Sequence, residues 1–113
     1  QMLGIDVPLP REVDLISIEA SDLQADPGRG LFVLNSTLKN RAPYAQAWPQ
    51  LTLTLTDVND RTVARRTISV VDYLGAQHPP SFAAGSDVGV RLWIEARDIG
   101  AAGYRLYLFY PES

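Results

Sequence analysis

His78 is the one histidine of this 113-residue chain, and Ser81 and Ser86 follow it closely. A serine–histidine–carboxylate relay is therefore arithmetically possible. Such a relay is defined by geometry, however, and no Gly-x-Ser-x-Gly segment marks a nucleophile. Between Gln77 and Pro79, His78 reads as a solvent-exposed loop residue. One histidine and no cysteine make a zinc site a poor expectation, and the missing cysteines exclude a thiol nucleophile and disulfides. Asp57-Val58-Asn59-Asp60 looks faintly like the start of a calcium loop. Thr62 stands where such a loop needs glycine and Ile68 where it needs glutamate, so a hairpin is the better reading. Asn35-Ser36-Thr37 has the glycosylation pattern but falls inside a predicted strand.

Two other groups of residues hold more information. In Arg65-Arg66, adjacent strand residues point to opposite faces, so one arginine faces the core side. By the register derived below it is Arg66. It is either buried against a carboxylate, with Asp57 and Asp72 the nearby candidates, or placed at a rim with its head in water. Trp93, Tyr107 and Phe109 stand off the apolar parity of their strands. Gathered on one outer face they would form a platform for a partner, with Trp48 a further candidate. The alternative is that the segment carrying Tyr73, Leu74 and Phe82 folds over and buries them.

The elements that must position these residues are strands. Leu51, Leu53 and Leu55 alternate with Thr52, Thr54 and Thr56, which predicts one buried and one wet face on an antiparallel sheet. Val13 to Ile18, Leu31 to Lys39, Thr62 to Val71, Val88 to Ala96 and Tyr104 to Tyr110 read as further strands. Asp26 to Gly30, Asn59-Asp60 and Asp98 to Gly103 read as turns. A tight turn at Asn59-Asp60 pairs Leu55 with Ala64, Leu53 with Arg66 and Leu51 with Ile68. Asp72 to Ala84 is too rich in Pro and Gly for regular structure and is read as a crossing between sheets. These segments predict an all-β, immunoglobulin-like antiparallel β-sandwich of about seven strands over residues 12–113, after an extended linker over residues 1–11.

Composition narrows the function. Hydrophobic residues make up 46 % of the chain, enough for a sizeable core. The net charge is −3, Lys39 is the single lysine and the arginines are scattered, which argues against a nucleic-acid surface. No apolar run is long enough to span or insert into a membrane. The chain opens at Gln1-Met2, so a preceding anchor or signal is expected outside it.

Several segments together resemble a bacterial family. They are Leu38-Lys39-Asn40-Arg41-Ala42, Trp48-Pro49-Gln50-Leu51-Thr52-Leu53 and Leu55-Thr56-Asp57. Ala64-Arg65-Arg66, Asp72-Tyr73-Leu74, Gly103-Tyr104-Arg105-Leu106 and Phe109-Tyr110-Pro111 continue the set. In order, from about Leu31 to Pro111, they are similar to domain-of-unknown-function (DUF) family 3426. The resemblance implies a periplasmic C-terminal domain tethered to the inner membrane, behind a zinc ribbon, a variable linker and one transmembrane helix. Asp60, Ile68 and Val70 depart from the family's usual glycine, aromatic and proline, all at structural positions. The resemblance brings no catalytic residues.

The reading that follows is a non-enzymatic module, without cofactor or metal, that binds a protein partner in the cell envelope as a monomer or weak homodimer. Candidate contact residues are Trp48, Trp93, Tyr107 and Phe109; Asp57, Arg65, Arg66 and Asp72 are structural polar residues. A second class is a small-ligand or glycan module in which Tyr44, Trp48 and Tyr73 stack on a sugar. A hydrolase built on His78 is the third.

Overall fold

The computed structural model describes residues 8–95 and 100–111. Six strands form two antiparallel sheets: β1 (Ile16–Asp26), β2 (Leu31–Asn40), β3 (Gln50–Thr56), β4 (Thr62–Ile68), β5 (Asp87–Glu95) and β6 (Gly103–Phe109). One sheet has the order β1-β2-β5 and the other β4-β3-β6, so β2 and β3 are central and four strands are edges. The sheets stack into a β-sandwich. Leu34, Leu38, Val90 and Ile94 from one sheet meet Leu51, Leu53, Leu55 and Ile68 from the other, each 5 % exposed or less. Truncating one of the buried leucines to alanine costs about 2–5 kcal/mol.

The β3–β4 register follows the predicted pairs: Leu55 faces Ala64, Leu53 faces Arg66 and Leu51 faces Ile68. The turn differs in detail. Asp60 alone adopts positive φ, at 63°, and the register slips by one residue between Leu55 and Thr56. Asp57 closes the turn by accepting the Asn59 and Arg61 backbone N–H groups at 2.8 and 2.9 Å. The polar face of β3 is also drier than alternation implies. Thr54 and Thr56 are buried: β3 is the central strand, with Thr54 paired to Arg65 and Arg105 and Thr56 to Thr62 and Gly103 on its two sides.

The sequence reading needs correction elsewhere too. β4 stops at Ile68, and Val70–Leu74 forms a short helix, α1. Ser69 starts it: the Asp72 carboxylate accepts from the Ser69 N–H at 2.9 Å and from its hydroxyl at 3.1 Å. The segment expected to be irregular, 72–84, therefore begins inside α1 and holds one bridge, Gln46 with Phe82, and the described strands number six rather than about seven. Val13–Leu15 is a 3-10 turn, and β1 runs on to Asp26. The turn at residues 27–30 is as predicted, with Gly30 at φ 66°. Most of the predicted linker, residues 1–7, lies outside the described residues, as do residue 96 of the predicted strand and the 98–99 part of the last turn. Pro10 and Arg11 are tied to the domain: the Ala47 N–H donates to Pro10 O at 2.9 Å, and Arg11 Nη1 to Pro111 O at 3.1 Å.

Candidate functional site

The connections are not shared evenly between the two ends of the sandwich. The segments 41–49 and 69–86 meet at one end beside residues 10–15 and 110–111. Asn40 lies at the centre of this end and is fully buried. Its Nδ2 donates to Phe82 O at 2.9 Å and Tyr44 O at 3.1 Å, and its Oδ1 accepts from Ala42 N and Gln46 Nε2 at 3.0 and 2.9 Å. Gln46 Oε1 accepts the Glu12 N–H at 2.6 Å. No buried side-chain polar atom among the described residues lacks a partner. Neither Asn40 nor Gln46 stood out in the sequence as a functional residue. The available signal was parity: Leu34, Ser36, Leu38 and Asn40 all fall on the buried side of β2.

The aromatic residues near this network are occupied with each other. Trp48 stacks on Phe82 with centroids 4.6 Å apart, meets the edges of Tyr73 and His78 at 6.3 Å, and donates Nε1–H to Pro79 O at 2.6 Å. Tyr73 is buried and donates its hydroxyl to Pro49 O at 2.8 Å. Burial raises its pKa, with the Tyr110 hydroxyl adding to the effect. Tyr110 donates to Ala47 O at 2.9 Å, and burial pushes its pKa to about 12, with Arg11 pulling the other way. Tyr44 donates to Glu12 at 2.6 Å, a bond that raises its pKa. The aromatic set suggested for a sugar is thus committed within the protein: Tyr73 is in the core against Trp48, and Tyr44 is tethered to Glu12. Nor does the structure bring His78 to a serine hydroxyl. Its Nδ1–H donates to Pro79 O at 2.8 Å, and the Ser86 hydroxyl donates to Ala83 O at 2.7 Å. Among the described residues no cluster of three His, Cys, Asp or Glu side chains could hold a metal ion.

Trp93 and Tyr107 are exposed, at 58 % and 55 %, while Phe109 is half-buried. They do not form one platform. Trp93 shares its side of β5 with Arg91 and faces Val33, on the outer surface of the first sheet. Tyr107 and Phe109 face Thr52 and Gln50, on the outer surface of the second. Off-parity residues point away from the core, but the two sheets present their outer surfaces in opposite directions. The covering segment foreseen as the alternative is not there either, since Tyr73 and Phe82 are core residues. The Arg91 guanidinium lies 5.4 Å from the Trp93 ring centre, a cation–π contact.

Arg65 and Arg66 are both exposed. Arg66 faces Leu53 as predicted, but β4 is an edge strand, so its head reaches water at the rim and meets neither Asp57 nor Asp72 in an ion pair. Those carboxylates serve the turn and the start of α1. Arg66, Ile68 and Asp72 line one hollow with Trp93 and Ile94, and Arg65, Arg66 and Ala64 line another with Ile94 and Glu95. The two hollows share Arg66 and Ile94, so they form a groove along the open side of the sandwich between β4 and β5.

No helix among the described residues is long and apolar enough to cross a membrane. No curated protein matches the sequence. A crystal structure of a DUF1425 family member from Shewanella sp. pv-4 is similar in fold, with a TM-score of 0.56 and 17 % identity over 87 % of this chain and 80 % of that one. The model of the family described as "Protein of unknown function (DUF3426)" matches residues 13–108, and the chain belongs to that family.

Proposed function

We propose that this domain is a non-catalytic module that binds a protein partner in the cell envelope, with Trp93 at the centre of the contact. The observation that carries the reading is Trp93 itself: a large aromatic, 58 % exposed, held by Arg91 on an edge strand. Trp and Arg are the side chains that most often dominate binding energy at interfaces. The setting is the periplasm, with the domain tethered to the inner membrane through another part of the protein, as the family resemblance implies. A reporter active only outside the cytoplasm, fused after Ser113, tests that setting, and an inactive but full-length fusion contradicts it. Binding is tested by a photo-crosslinking residue placed at position 93 in the full-length protein in living cells. The expected result is a discrete adduct from position 93 and none from position 58, where Val58 is 85 % exposed on the β3–β4 turn. Equal labelling from both positions, or none from 93, removes the reading.

A further inference from the structure

The groove between β4 and β5 goes further than an exposed tryptophan, because its residues specify an occupant. Resting on the reading of Trp93 as a contact, we infer that the groove takes an extended acidic segment of the partner, added as a strand to the free edge of β4. Two observations carry this. β4 pairs with β3 alone among the described strands, leaving a seven-residue ladder edge with unused backbone donors and acceptors. That edge also holds Arg65 and Arg66, which have no ion pair among the described residues, in a chain of net charge −3.

The other charges at the groove leave the arginines in excess. Arg91 lies over Trp93, Glu95 lines one end, and the Asp72 carboxylate is engaged by Ser69. The apolar floor comes from Leu53, Leu55, Ala64, Ile68 and Ile94. α1 packs against β5, so β4 is the freer of the two edges.

Strand periodicity turns this into a sequence pattern. A residue opposite Arg66 faces the groove and one opposite Arg65 faces outward, so both are acidic and adjacent. The groove-facing residues two positions away on either side lie opposite Ala64 and Ile68 and are apolar. The pattern is apolar, any, acidic, acidic, apolar or its near-equivalent in the reverse direction, with Trp93 closing over it from the opposite rim.

The test uses a blocked peptide of valine, threonine, glutamate, glutamate and valine, flanked by serines, titrated into the isotope-labelled chain. Expected are saturable shifts at β4 and Trp93, slowed hydrogen exchange at β4 edge amides, and weakening as salt is raised. The doubly charge-reversed variant R65E/R66E should bind about tenfold or more weakly. A lysine-for-glutamate peptide and a proline-interrupted one should not bind. Both arginines are exposed, so the variant's own spectrum shows that it folds. Binding without protection of β4, or indifferent to the charge reversal, overturns the inference. So does concentration-dependent self-association through β4, which would make the occupant a second copy. Charged edges also guard strands against aggregation; if the variant aggregates while the wild type ignores the peptide, that protective role replaces the one inferred. An adduct from position 93 with no dependence on Arg65 and Arg66 would defeat this inference alone, whereas silence at position 93 would defeat the reading beneath it.

Discussion

Trp48 and Trp93 belong to the same fold but are used in opposite ways. Trp48 has a ring stacked on one face, two more against its edges and its N–H donated to a carbonyl. Trp93 has one guanidinium beside it and is mostly in water. The contrast extends to their surroundings. Around Trp48 the polar groups satisfy each other through Asn40 and Gln46, and four stretches of chain are joined there. Around Trp93 the arginines make no ion pair among the described residues, and the edge of β4 has no partner strand among them. An identical side chain thus contributes to stability where its bonding is complete and, on the function proposed above, to recognition where it is not.

The contrast is most directly broken at Asn40. Asn40→Ala leaves Ala42 N, Gln46 Nε2 and Phe82 O buried without their partner, and at about 1–3 kcal/mol per stranded group the loss should reach about 4 kcal/mol in urea unfolding. A loss below about 1 kcal/mol would mean that water replaces the amide and that this end is not closed. Trp48→Ala should cost about 3 kcal/mol through its lost packing on Phe82 and Tyr73. Tyr73→Phe and Tyr110→Phe each remove one bond to a backbone carbonyl and should cost about 1 kcal/mol.

The same tyrosines give the closed end a pH signature. Tyr110 has a folded pKa of about 12 against an ordinary 10.0, so the folded state holds its proton more tightly than the unfolded state. Its contribution is fully present below the unfolded value and is lost as pH rises through the folded one. Tyr73 shifts in the same direction. Unfolding midpoints should therefore hold steady up to about pH 10 and fall above it, less steeply in Tyr110→Phe. An equal fall in that variant would assign the effect to other groups. Trp93→Ala should show the smallest stability effect, within about 0.5 kcal/mol, while removing the adduct formed from a photo-crosslinking residue placed opposite it at position 33. A stability loss as large as that of Trp48→Ala would erase the distinction between the two tryptophans.

Strand parity made much of this legible in the sequence. It identified Leu51, Leu53 and Leu55 as core and sent Trp93 and Tyr107 outward, while the turn at Asn59-Asp60 set the pairing of those leucines with β4. Parity distinguishes inside from outside but not one outer surface from the other, which is why the aromatic platform did not form. The same rule, carried one step past Leu38, places Asn40 inside, and only its polarity disguised it. α1 was hidden by Val70-Val71, which favour strand, while the Ser69 and Asp72 spacing that starts a helix was in view. The partners of the Asn40 side chain lie from 2 to 43 residues away, so no local pattern could have shown the whole network.

Arg11 holding Pro111 brings residues a hundred positions apart to one point on a molecule 54 Å long. Residues 11 and 111 therefore lie at the same end of the sandwich, beside Asn40 and Gln46. Residues 11 and 111 should be joinable by a short linker and the chain reopened in the turn at residues 27–30, giving a circular permutant with the same fold. Force applied between residues 11 and 111 would peel the sheets open from Arg11 inward, one bond at a time, rather than shear whole strands past each other. Mechanically, the end whose loops are bonded together through Asn40 and Gln46 is the one that a pull along the chain opens first.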